Sequence, residues 1–165
     1  MRYLNKIVFI NSAAIRYSEV QLDGNIHLIG TQGVGKSTIL RAILFFYNAD
    51  TQRLGIPVEK KSYQDYYFPY ADSSIIYEVA REDGWFTVLS YKTMNRICYR
   101  FIASPYRPDL FIDEEVAPYP SDRIRSVLDK NGIKYSGAIS TYEEYRNILY
   151  LSLIHISEPT RQEAI

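Results

Sequence analysis

Gly30-Thr31-Gln32-Gly33-Val34-Gly35-Lys36-Ser37-Thr38 matches the pattern G-x-x-x-x-G-K-[ST] at every fixed position. Those residue types at that spacing hold phosphate. Glycines let the chain curl so that successive backbone N–H groups converge on phosphoryl oxygens, and a helix opening at Gly35 adds the positive end of its dipole. In such a loop Lys36 reaches the β- and γ-phosphates and is the candidate catalytic residue. Ser37 places its hydroxyl on Mg²⁺, and Thr38 donates to the α-phosphate. The cofactor-binding set is therefore Gly30, Thr31, Gln32, Gly33, Val34, Gly35, Lys36, Ser37 and Thr38, with Ser37 as the metal ligand and ATP with Mg²⁺ as the cofactors. Lys36-Ser37 separates this loop from the dinucleotide fingerprint, which also begins on spaced glycines.

The flanks are those that such a loop needs. Asn25-Ile26-His27-Leu28-Ile29 is short, apolar and branched, as in a buried strand, whereas Ile39, Leu40, Ile43, Leu44 and Tyr47 recur at helical spacing and predict one apolar helix face over 35–48. Strands are predicted over Leu4 to Ile10 and Ile15 to Leu22, forming an early antiparallel ribbon beside a central sheet. Residues 49 to 73, with Gly55, Pro57 and Pro69, read as irregular. Ser74 to Glu82, the Asp83-Gly84 turn, Trp85 to Leu89 and Met94 to Ala103 predict three antiparallel neighbours. A short helix capped by Ser121 carries Ile124, Val127 and Leu128 on one face and closes at Asn131-Gly132. Thr141, with Glu144 three positions on, caps another that buries Tyr145, Ile148 and Leu149. The fold class expected from this order is α/β: a partial P-loop NTPase head with an adjoining antiparallel β lobe.

The chain has 165 residues, room for a single α/β domain with a substantial core. Its 19 basic and 19 acidic side chains cancel, which removes any bulk electrostatic case for nucleic acid without excluding a local patch. Cys98, the only cysteine, excludes an internal disulfide and reads as a structural strand residue. The apolar run Ile7-Val8-Phe9-Ile10 is too short for a secretory core or a membrane span, so a cytoplasmic protein with no membrane partner is expected. Sixteen tyrosines, spread from Tyr3 to Tyr150 without a repeat, read as covers for strand faces and fold edges.

The order Leu4-Asn5-Lys6-Ile7-Val8-Phe9, a return strand to Leu22, and then Ile29 through the loop to Ile43 resembles the N-terminal head segment of ATPases of the structural-maintenance-of-chromosomes and recombination-repair group, including condensin-like bacterial proteins. The resemblance is close over residues 3 to 48 and looser through 150. It implies MgATP binding by a half-head, head-to-head homodimerisation around nucleotide, completion by a C-terminal half-head of the same chain, and DNA as the ultimate partner. Gln32 departs from the asparagine common in that loop. Arg53 lies where the family often carries a basic residue, and Gln64 sits too early to match its glutamine loop. Leu110-Phe111-Ile112 before Asp113-Glu114-Glu115 is too brief for the paired-acid strand and reads as a solvated turn. No serine-glycine-glycine signature and no heptad arm follow.

Residues 1–150 therefore read as an incomplete ATPase head, with little or no hydrolysis of its own expected. Leu151-Ser152-Leu153-Ile154-His155-Ile156-Ser157-Glu158-Pro159-Thr160-Arg161 resembles a translated sequencing adaptor, which makes 151–165 a non-native readthrough tail. Two other functions compete with the head: a small P-loop kinase or AAA-type ATPase, and a domain that senses ATP without turnover. The first requires a phosphoacceptor pocket or lid arginines.

Overall fold

The computed structural model describes residues 3–22, 35–48, 63–94 and 96–154. In chain order the elements are β1 (Tyr3–Ser12), β2 (Ile15–Gln21), α1 (Lys36–Asn48), α2 (Tyr63–Tyr67), β3 (Ser74–Arg81), β4 (Gly84–Thr93), β5 (Arg96–Ile102), a 3₁₀ turn at Pro108–Leu110, α3 (Ser121–Lys130) and α4 (Tyr142–Ile154). The strand expected at Asn25 to Ile29 lies outside the described residues, as does 155–165.

The strands form one five-stranded sheet in the order β2-β1-β3-β4-β5. Every pairing is antiparallel. Registers such as Ile7↔Tyr77 and Tyr77↔Val88, continued by Val88↔Phe101, align one row of side chains across four strands. Because successive residues of a strand point to opposite faces, Ile7, Phe9, Ile75, Tyr77, Val79, Phe86, Val88, Tyr99 and Phe101 share one apolar cluster, and Val8, Ile10, Ile76, Leu89 and Ile102 belong to a second. Both faces of the sheet are consequently covered. That explains why β3, at the centre, is buried almost throughout rather than at alternate positions.

The first face carries α1, α2 and α4 through Ile39, Ala42, Phe45, Phe46, Tyr63, Tyr67, Tyr145 and Leu149. The second is covered by the connector after β5 and by α3, through Tyr106, Leu110, Phe111, Ile124 and Leu128. The outer edge of β5 is occupied by chain 134–139: Tyr99 and Ile139 exchange backbone hydrogen bonds of 2.8 Å, and Ser136 N–H donates to Phe101 O at 2.8 Å. Glu78, a buried carboxylate on the central strand, accepts from Asn5 Nδ2 and from Tyr106 N–H, both at 2.8 Å, so its burial does not leave a polar group stranded.

This architecture corrects the expected fold class. Among the described residues the domain is β-rich, a single antiparallel sheet with a few covering helices, and not an α/β P-loop head with an antiparallel lobe at its side. The early β1–β2 ribbon and the later β3–β5 strands form one sheet, because β1 pairs with β3 from Tyr3↔Ala80 to Ile10↔Ser74. The helix after the glycine-rich run lies on this sheet. A second correction concerns the face of α1. Leu40, Leu44 and Tyr47, expected inside, are 45%, 45% and 39% exposed, while Phe45 and Phe46 are buried at 1% each. Large apolar side chains stand on more than one side of α1, so the pattern leaves its inner face open; packing against the rings of Tyr63, Tyr77 and Tyr99 selects Phe45 and Phe46.

The β1–β2 hairpin turns on Ala13 and Ala14, both left-handed at φ 51° and 64°, after Asn11 at 47°. Two residues with positive φ match the right-handed twist of the strands they join, but alanine pays about 1–2 kcal/mol for that conformation. Ala14→Gly is therefore expected to stabilise the domain by about 0.5–1 kcal/mol, the relief less the added chain entropy of glycine. A rise in the urea midpoint at unchanged slope would register it; a fall would show that the turn is unstrained.

Candidate functional site

Gly35 immediately precedes α1, and its carbonyl accepts the first helical bond, from Ile39 N–H at 3.2 Å. The helix thus opens at the lysine of the motif. Lys36 and Ser37 are exposed and Thr38 is half-buried. No acidic residue lies in the first turn of α1, so nothing there repels an anion drawn to the helix N-terminus. Among the described residues no heavy atom lies within 4 Å of the place a Cβ on Gly35 would take. Gly30, Thr31, Gln32, Gly33 and Val34 lie outside the described residues, as does Arg53.

Tyrosine phenols hold α1 in place from below. Tyr67 OH donates to Thr38 O at 2.8 Å, Tyr77 OH to Ala42 O at 2.9 Å, and Tyr145 OH to Phe46 O. Tyr66 OH lies 3.3 Å from Thr38 Oγ1. Burial raises the pKa of Tyr67, Tyr77 and Tyr145, so each phenol stays neutral and keeps the proton it donates. The rings also stack: Phe45 on Tyr63 at 4.7 Å, Tyr63 on Tyr67 at 4.2 Å, Tyr99 on Tyr145 at 4.1 Å.

Sequence reasoning missed Tyr66 and Tyr67, having read their segment as irregular. The signal was present in Tyr63 and Tyr67, which stand four residues apart and share the buried side of α2. Gln64, beside them, is half-buried.

Asp113-Glu114-Glu115 forms a turn. Asp113 Oδ1 accepts from Glu115 N–H at 2.8 Å and Ala117 N–H at 2.9 Å, folding the chain back so that Val116 adopts φ 64°. These donors, Ala117 first, lower the Asp113 pKa. A carboxylate whose folded pKa is depressed contributes stability above its unfolded pKa and loses it as pH falls through the folded value. Asp113→Asn is therefore expected to lower stability at neutral pH and to change it little below the folded pKa, which flattens the acid limb of stability against pH. Parallel acid limbs in the two proteins, followed by urea unfolding, would remove Asp113 from that account. Cys98 is buried on β5, where burial raises its thiol pKa. Among the described residues no group of three His, Cys, Asp or Glu side chains could hold a metal ion.

These features define a β-rich domain with an antiparallel sheet covered on both faces and a Gly-Lys-Ser sequence at the mouth of its first helix. The chain belongs to the family described as protein of unknown function DUF3584, whose family model matches residues 11–153. No curated protein and no solved structure matches the chain. Among the described residues no helix is long and apolar enough to cross a membrane.

Proposed function

We propose that the chain binds MgATP at the N-terminus of α1, as the nucleotide-binding portion of a DNA-associated ATPase of the chromosome-maintenance or recombination-repair kind. The observation that carries this reading is that α1 opens at Lys36, the lysine of an unbroken G-x-x-x-x-G-K-S run, with Lys36 and Ser37 both exposed. The residues suit the group they would hold. Lys36 supplies a mobile ammonium for phosphoryl oxygens, and the first-turn N–H groups supply directed donors. Ser37 offers a hydroxyl to Mg²⁺, an ion that commonly completes its coordination with substrate phosphates and water rather than a protein cage. The bound metal supplies charge neutralisation between phosphates.

Support for the wider assignment is the resemblance carried by residues 3 to 48. DNA, a second head and a C-terminal half-head are the partners it implies, and the protein acts in the cytoplasm. Titration calorimetry of MgATP into the 165-residue chain tests the binding step. Saturable binding that depends on Mg²⁺ is expected; no heat, together with no displacement of a fluorescent ATP analogue, would remove nucleotide from the account.

A further inference from the structure

A cleft of about 410 Å³ lies between the tip of the β1–β2 hairpin and the end of α2. Asn11, Ala14 and Arg16 form one wall, and Asp65, Tyr66 and Tyr70 the other. Its size is in the range of pockets that enclose small ligands, roughly 300–1,000 Å³. The wall it shares with the phosphate site is Tyr66, whose phenol oxygen is 3.3 Å from Thr38 Oγ1.

The cleft is built rather than incidental. The hairpin tip carries left-handed Asn11, Ala13 and Ala14, a conformation that persists only where surrounding contacts hold it. Two such contacts come from the segment that follows α1: Ala13 N–H donates to Tyr66 O at 3.2 Å, and Ser73 Oγ–H donates to Asn11 O. Tyr70, at the mouth, leaves a large aromatic ring 63% exposed. Tyr70 N–H donates to Ser73 Oγ at 2.9 Å, tying that ring's backbone to the same serine.

We infer that this cleft receives the base and sugar of the nucleotide whose phosphates lie on α1, with Tyr70 as a stacking surface and, on the opposite wall, Asn11 and Arg16 as polar contacts, the Arg16 guanidinium being held by its Nη2 donation to Glu115 O at 3.1 Å. The inference rests on the phosphate reading of α1. Thr38, the residue placed to meet the α-phosphate, contacts through its Oγ1 the phenol of Tyr66, which also lines the cleft, and that contact is the link between the phosphate and nucleoside ends of the ligand. The adjoining rings explain what the phosphate motif leaves unassigned, namely how a nucleoside triphosphate would be preferred over bare polyphosphate.

The test titrates the 165-residue chain and its Tyr70→Ala and Arg16→Ala variants with MgATP and with magnesium tripolyphosphate, and verifies each fold by circular dichroism. Loss of one base-stacking aromatic is expected to weaken MgATP at least about fivefold for Tyr70→Ala, with tripolyphosphate unchanged. Arg16→Ala should weaken MgATP in the same selective way. If the unaltered chain binds both ligands and neither variant separates them, the cleft has no part in binding and the α1 site stands without it. If the unaltered chain binds neither ligand, the phosphate reading fails first and the cleft's role falls with it.

Discussion

Lys36→Ala is expected to lower MgATP affinity by about 10- to 150-fold, the loss that follows from removing one hydrogen bond to a charged group worth about 1.5–3 kcal/mol. Stability should stay within about 0.5 kcal/mol of the parent, since Lys36 is exposed at the start of α1. Lys36→Arg keeps the charge but spreads it over a planar fork, and it should recover only part of the affinity. Calorimetry at two salt concentrations measures both. Affinity that is unchanged in Lys36→Ala, with α1 intact by circular dichroism, would mean that the glycine-rich run does not bind phosphate.

Tyr77→Ala should destabilise the domain by about 3–5 kcal/mol, which is a large part of the 5–15 kcal/mol that holds a typical domain together. Tyr77 is fully buried at the centre of the sheet, packs against Phe46 at 4.8 Å and donates to Ala42 O at 2.9 Å. Truncation removes the ring from beneath α1 and leaves a void that the flanking strands cannot close. Tyr77→Phe keeps the ring and loses only the hydrogen bond, at about 1 kcal/mol. Urea unfolding of both variants separates packing from hydrogen bonding. Equal losses in the two would show that the phenol, and not the ring, carries the stability.

The strands were legible because their signals are local. The apolar, β-branched and aromatic runs of β3 and β4 and the Asp83-Gly84 turn, where Gly84 takes φ 153°, mark the hairpin. Gly132, at φ 69°, marks the end of α3, although Pro120 rather than Ser121 occupies its cap. Thr141 Oγ1 accepts from Glu144 N–H at 3.2 Å, the cap that its spacing predicts for α4. α4 continues to Ile154, so its last turn enters the segment that resembles an adaptor.

Lys36, Ser37 and Thr38 were named by a motif whose chemistry is read from neighbours in sequence. The amino-acid order alone names a phosphate-type motif, and it determined the hairpins and the helix that follows Gly35. Only the tertiary structure decided that β1 lies against β3, turning two ribbons into one antiparallel sheet, and that Phe45 and Phe46 rather than Leu40 and Leu44 face it. The reason is physical: turns and caps are set by torsions within a few residues, whereas strand order and the buried side of a helix with large apolar residues on more than one side depend on which distant surfaces fit together. Tyr66 and Tyr70 beside the hairpin tip belong to that second kind, since neither their spacing nor their type discloses the cleft they line.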